Sequence, residues 1–197
     1  MKPALVILAA GASERLGQPK ALVEIGGKLA LEWLVEAGAW LDDAPALVIV
    51  GAHTAAIRAR APKSCEILDN PAWKRGRTGG AALAARARAG RDLCLAPIDV
   101  PLVPSTVFRA LEEAWRAACA PPRGWLAPRC AGRFGHPIVI GRELAREIEF
   151  LEEDSSLRAL RALAEPLLAV AVESAATLDD LDTPEDLARL RARFPPG

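Results

Sequence analysis

A mostly parallel α/β fold is what this 197-residue sequence predicts, and three observations carry that prediction. Short continuous apolar runs recur along the first half of the chain, the pattern of strands covered on both faces. Stretches with helical periodicity lie between those runs, which implies right-handed βαβ units. The composition, 51% hydrophobic and 25% charged, suits a soluble globular domain large enough to bury a core.

In chain order, Leu5-Val6-Ile7-Leu8-Ala9-Ala10 is the first strand, ended by Gly11. A loop follows, and then a helix over 29–41, with Leu31, Leu34, Val35 and Leu41 on one stripe. Residues 46–51 give a second buried strand, 54–61 a short helix and 65–68 a third strand. An alanine-rich helix over 78–89 precedes a fourth strand at 93–98, and 106–118 is helical again. In such sheets ligands gather beyond the carboxyl ends of the strands, so the segments after Ala10, Gly51, Leu68 and Ile98 are expected on one rim.

The pattern changes after Pro121-Pro122. Trp125 to Arg129, the turn Ala131-Gly132-Arg133, and Pro137 to Ile140 predict a hairpin. Helices over 143–151 and 155–163, a strand at 167–172 and a helix over 183–194 complete the chain. Thr183 suits the N-cap of that last helix, Pro184 its first position and Asp186 its third. The prediction is therefore a Rossmann-like three-layer fold with a mostly parallel twisted sheet and a small hairpin insertion, as one domain over 1–197.

Charge excludes some functions. With 25 basic and 25 acidic residues the net charge is zero, which argues against nucleic acid as the main partner. The four cysteines form no CxxC pair, so neither zinc nor a CxxC redox site is expected. They suit a reducing cytoplasm. The apolar start is a strand rather than a signal peptide, and no run approaches the ~18 apolar residues of a membrane span.

The candidate chemistry begins in the first loop, Leu8-Ala9-Ala10-Gly11-Ala12-Ser13-Glu14-Arg15-Leu16-Gly17-Gln18-Pro19-Lys20. Gly11 and Gly17 let the backbone turn and approach a ligand, and successive N–H groups can form a nest for phosphate oxygens. Arg15 can fork onto a phosphate, and Lys20 can supply a mobile point charge. A surface loop with two solvated cations is the alternative. At the end of the fourth strand stands Pro97-Ile98-Asp99-Val100-Pro101-Leu102, whose carboxylate suits Mg²⁺ or, equally, a turn. Near the end, Leu178 to Leu187 holds five acidic residues, which otherwise read as a solvated helix start.

The first loop closely resembles the LAAGxSxRMGxxK signature of the nucleotidyltransferases related to the molybdenum-cofactor transferases, with Leu16 in place of methionine and Ile25-Gly26-Gly27-Lys28 following. Pro97-Ile98-Asp99-Val100-Pro101-Leu102 is similar to the family's D-x-P-L, and Asp180-Leu181-Asp182-Thr183-Pro184-Glu185-Asp186-Leu187 to its DIDTPEDL. The resemblance implies a triphosphate held by Leu8, Ala9, Ala10, Gly11, Arg15 and Lys20. It implies Mg²⁺ on Asp99 and Asp182, with Arg15, Lys20 and Asp99 catalytic and Asp180 structural. Asn70-Pro71 and the loop after it resemble the segment that contacts base and ribose, which assigns Gly76, Thr78, Gly79 and Gly80 to the nucleotide. Thr78-Gly79 departs from the usual paired serines there.

Gly135-His136-Pro137 resembles the family's GHP on the acceptor side, which spans about 121–165. A lone histidine before proline also reads as a turn residue, and His53 reads as a helix start. At Glu153-Asp154-Ser155-Ser156 the chain departs from the family's Gly-Asp-x-Gly, which touches on acceptor choice. Taken together the resemblance implies nucleotidyl transfer from CTP, or from GTP, to molybdopterin, with a molybdoenzyme or its chaperone as protein partner. Ala10, where guanylyl members more often carry glycine, points to CTP. A sugar-phosphate nucleotidyltransferase and a catalytically silent binding protein are the rival readings.

Overall fold

The computed structural model describes residues 2–42, 44–151 and 157–194. Its elements are β1 (Ala4–Ala9), β2 (Glu24–Ile25), β3 (Lys28–Leu29), α1 (Ala30–Gly38), β4 (Ala46–Val50), α2 (Thr54–Arg60), β5 (Cys65–Asp69), α3 (Arg77–Ala87) and β6 (Leu93–Pro97). The second part adds α4 (Ser105–Ala117), β7 (Trp125–Cys130), β8 (Arg133–Phe134), β9 (Ile138–Ile140), α5 (Arg142–Glu147), α6 (Arg158–Arg161), β10 (Leu167–Ala171) and α7 (Pro184–Arg191).

The main sheet runs β10-β7-β9-β6-β1-β4-β5, with β8 paired to β7. Neighbours β6, β1, β4 and β5 are all parallel, as the βαβ reading requires. Strand β1 is central because both of its faces are apolar. Leu5, Ile7 and Ala9 enter one hydrophobic cluster with α1 and α4, while Ala4 and Val6 enter the other with α3 and α5. Two helical layers around one sheet give the three-layer architecture.

Three elements differ from the sequence expectation. Residues 24–29 form a two-stranded antiparallel hairpin rather than open loop. Gly26 and Gly27 turn it with φ of 59° and 79°, the left-handed pair that a two-residue hairpin needs. The second hairpin is also longer-range than expected. Strand β9 lies between β6 and β7, antiparallel to both, so the hairpin extends the main sheet instead of standing off it. Strand β10 then adds to β7 in parallel at the edge. The predicted helix over 155–163 appears as the short α6, and the departure at 153–156 lies outside the described residues.

The last helix starts as its residues dictate. Thr183 Oγ1 accepts the Asp186 N–H at 3.2 Å, and Asp186 accepts the N–H groups of Asp182 and Thr183 at 3.0 Å. Arg189, then those N–H groups, holds the Asp186 carboxyl down at about 2. Its contribution to stability is therefore complete above the ordinary aspartate range and is lost as pH falls through about 2. Asp186→Asn is expected to flatten the acid limb of the stability–pH curve, and Thr183→Ala to cost about 1 kcal/mol. Urea titrations between pH 2 and 5 check both, and an unchanged acid limb would remove Asp186 from this role.

Candidate active site

The loop after β1 is built to stay in place. Ser13 takes φ 56° and Gly17 φ 74°, and Leu16 and Gly17 donate back to the Ser13 carbonyl at 3.1 Å. Leu16 is only 5% exposed and anchors the loop in the core, a role that any large apolar side chain can fill. The Lys20 N–H donates to Ser13 Oγ at 3.2 Å. A Cβ added at Gly11 would meet nothing within 4 Å, so this stretch of backbone is open to a ligand.

The closing segment is brought to the loop by the backbone. The Leu181 N–H donates to the Asp99 carbonyl at 2.7 Å, which places Asp182 beside the end of β6. Asp182 Oδ2 accepts from Arg15 Nη2 at 2.9 Å, and Oδ1 is bonded to Lys20 Nζ. The Lys20 bond, more than the Arg15 charge, holds the Asp182 carboxyl below its ordinary pKa. Asp180 moves the other way, raised by desolvation and then by the charges of Asp99 and Asp182. Three carboxylates thus share one field. Asp180, read from the sequence as structural, belongs to that group electrostatically.

These residues line a cleft of about 1130 Å³. That lies just above the usual ~300–1,000 Å³ of a small-molecule site. Leu8, Ala10, Gly11, Arg15 and Lys20 are on its wall, as are Gly76, Gly80, Asp99 and Asp182. Ala9, Thr78 and Gly79 are not. The strand period turns Ala9 into the core at 4% exposure, and its backbone pairs with Val50 in the ladder. Thr78 is 2% exposed in the first turn of α3. Gly80 serves packing, since a Cβ there would lie 3.3 Å from Ile49 Cγ2, whereas Gly76 needs its φ of 138° to begin the helix.

Asn70 and Trp73 to Arg75, in the segment that the resemblance assigned to base and ribose, line one half of the cleft, and Trp125, Phe134, Arg158 and Arg161, which were not singled out by sequence, line the other. Arg161 lies 4.4 Å over the Phe134 ring. Apart from the Asn-Pro motif, no local pattern marked these positions, because residues far apart in sequence supply the wall. His53 does begin α2, and its Nε2 also lies 2.9 Å from the Ala12 carbonyl, bracing the first loop. His136 is exposed at the cleft. Crowding by the walls lowers its pKa, while the Asp99 and Asp180 carboxylates pull it upward. Its N–H is held by the Thr177 carbonyl at 2.9 Å, and Gly135 must be glycine because a Cβ would lie 2.5 Å from that same oxygen.

The donor chemistry fits a hard divalent cation. Asp99 and Asp182 offer carboxylate oxygens at the cleft, and no cysteine lines it. Among the described residues, no group of three or more His, Cys, Asp or Glu side chains forms a self-contained metal cage. Two carboxylates with room for substrate oxygens and water are what Mg²⁺ sites of this kind use.

A family model described as a MobA-like NTP transferase domain matches residues 5–172. Among solved structures, Rv0371c from Mycobacterium tuberculosis H37Rv aligns with a TM-score of 0.79 at 23% identity, over 98% of this chain and 99% of that one. The same protein is also known in complex with manganese, at a TM-score of 0.77 and 22% identity, over 98% and 99% of the two chains. Molybdopterin-guanine dinucleotide biosynthesis protein A from Archaeoglobus fulgidus gives 0.73 at 19% identity, over 96% and 97%. The 2-C-methyl-D-erythritol 4-phosphate cytidylyltransferase from Thermus thermophilus gives 0.68 at 24% identity, over 98% and 99%. No curated protein sequence matches the chain. At these identities the solved structures establish a shared fold.

Proposed function

The chain belongs to the MobA-like NTP transferase family of nucleotidyltransferases, and from that premise we propose that it transfers CMP from CTP to the phosphate of molybdopterin in a Mg²⁺-dependent reaction. The observation that carries this reading is the meeting of Arg15 and Lys20 with Asp99 and Asp182 in one cleft. In this reaction an acceptor phosphate oxygen bonds to the α-phosphorus as the bond to the bridging oxygen breaks, and pyrophosphate leaves. The nucleophile is already ionised at neutral pH, so the protein need not supply a base.

The residues act by position and charge. Arg15 and Lys20 take the triphosphate oxygens, with the backbone at Ala10 and Gly11 beneath them. Asp99 and Asp182 would hold the metal, which when bound neutralises charge that builds on the phosphate oxygens. Gly76 and Gly80 border the base, and the half of the cleft with Phe134 and His136 receives the acceptor. Residues Cys65, Cys94, Cys119 and Cys130 are all free thiols, which supports a cytoplasmic setting. Among the described residues no helix is long and apolar enough to cross a membrane.

The choice of CTP rests on Ala10, which lines the cleft and whose methyl group would narrow the space open to a purine. Size exclusion of this kind discriminates by only about 1–3 kcal/mol, so a preference rather than absolute selectivity is expected. Ala10→Gly should admit more GTP. Magnesium-dependent pyrophosphate release from each of the four triphosphates, with molybdopterin and with sugar phosphates, tests the whole reading. Faster turnover of GTP would move the protein to guanylyl transfer, turnover only with a sugar phosphate would replace the acceptor, and no turnover would leave a binding protein.

A further inference from the structure

In this structure the cations assigned to the triphosphate and a carboxylate assigned to the metal are bonded to each other. Lys20 and Arg15 both end on Asp182. Lys20 is only 13% exposed in its side chain and Asp182 28%, so that pair is partly shielded from water, whereas Arg15 is 67% exposed. Neither end is free to drift. The Lys20 backbone is tied to Ser13 Oγ, Leu16 anchors the loop in the core, and Asp182 is fixed by its N–H bond to Asp186 and by the neighbouring bond from Leu181 to Asp99.

The charges make this arrangement selective. A metal ion arriving alone must displace the Lys20 ammonium from Asp182 and then sit beside two uncompensated cations. A triphosphate arriving alone must take Arg15 and Lys20 from Asp182, and leave that carboxylate bare beside Asp99 and its own oxygens. Each of these half-exchanges separates opposite charges in a partly dehydrated cleft, where Coulomb forces are stronger than in water. Arriving together, the triphosphate satisfies the two cations and the metal satisfies the two carboxylates.

We infer that Asp182 is an internal counterion of Arg15 and Lys20 that competes with the triphosphate for them, so that metal and triphosphate bind with strong positive coupling. The inference rests on the assignment of Asp182 as a metal ligand. It requires nothing about the base or the acceptor. By linkage, the metal tightens the triphosphate by the same factor as the triphosphate tightens the metal.

Inorganic tripolyphosphate and Mn²⁺ are the probes, since neither involves the base. Mn²⁺ binding is measured by calorimetry and electron paramagnetic resonance on the folded protein, with and without tripolyphosphate, after correction for the complex formed in solution. The wild type is expected to bind Mn²⁺ about tenfold or more tightly when tripolyphosphate is bound. Lys20→Met should bind Mn²⁺ alone about tenfold more tightly than wild type, although it loses a residue of the site, and Arg15→Gln should shift in the same direction. Asp182→Asn should bind metal-free tripolyphosphate, in the presence of chelator, more tightly than wild type.

If both cation variants hold Mn²⁺ no more tightly than wild type, the exchange is overturned. Asp182→Asn that loses Mn²⁺ while Lys20→Met shows no gain overturns the exchange and leaves the metal assignment standing. Asp182→Asn that holds Mn²⁺ as wild type does, in the presence of tripolyphosphate, overturns the metal assignment itself and the exchange with it.

Discussion

An Asp99→Asn variant is expected to turn over about 10²–10³-fold more slowly than wild type while melting at the same temperature or slightly above it. The loss follows from removing a preorganised charge at the reacting centre, where one such group is commonly worth that factor. The small effect on stability has a separate cause. Asp99 lies in a field shared with Asp180 and Asp182, and its charge raises the Asp180 pKa, so removing it relieves repulsion in the free protein. The backbone bond from Leu181 to the Asp99 carbonyl survives the substitution, which keeps the closing segment in place. Pyrophosphate release under saturating magnesium and a thermal melt measure the two halves. A wild-type rate, or a loss of rate matched by a loss of folded protein, would take Asp99 out of the reacting centre.

Lys20→Ala is expected to cost about 2–4 kcal/mol of transition-state stabilisation, comparable to the loss of one oriented electrostatic donor. Sequence reasoning expects this side chain to be solvated and its removal to leave folding untouched. The structure corrects that expectation, because the Lys20 side chain is largely buried and bonded to Asp182. Its removal should therefore also lower stability, by about 1 kcal/mol, as for a partly exposed ion pair. The activity loss should exceed the stability loss clearly. Wild-type turnover with the same fall in melting temperature would show Lys20 to be only a tether for the closing segment.

The order of strands and helices was legible because continuous apolar runs and helical stripes are local patterns, as in Leu5 to Ala10 and in the Val107, Phe108, Leu111 and Trp115 stripe of α4. The cap at Thr183, Pro184 and Asp186 was legible for the same reason, since its hydrogen bonds span four residues at most. The first loop, Asp99 and Asp182 could be picked out one motif at a time. Their meeting could not, because Asp182 reaches Arg15 across 167 positions and Lys20 across 162. Strand pairing decides it. The parallel register of β1 with β6 sets the first loop beside Asp99, and one bond from Leu181 to the Asp99 carbonyl delivers Asp182. The same long-range closure buries Lys20 and brings Phe134 and Arg161 to the far wall of the cleft. Sequence thus determined which residues carry charge and how each segment folds locally, whereas only tertiary structure decided that two cations and a carboxylate neutralise one another, because opposite charges interact by distance in space and not along the chain.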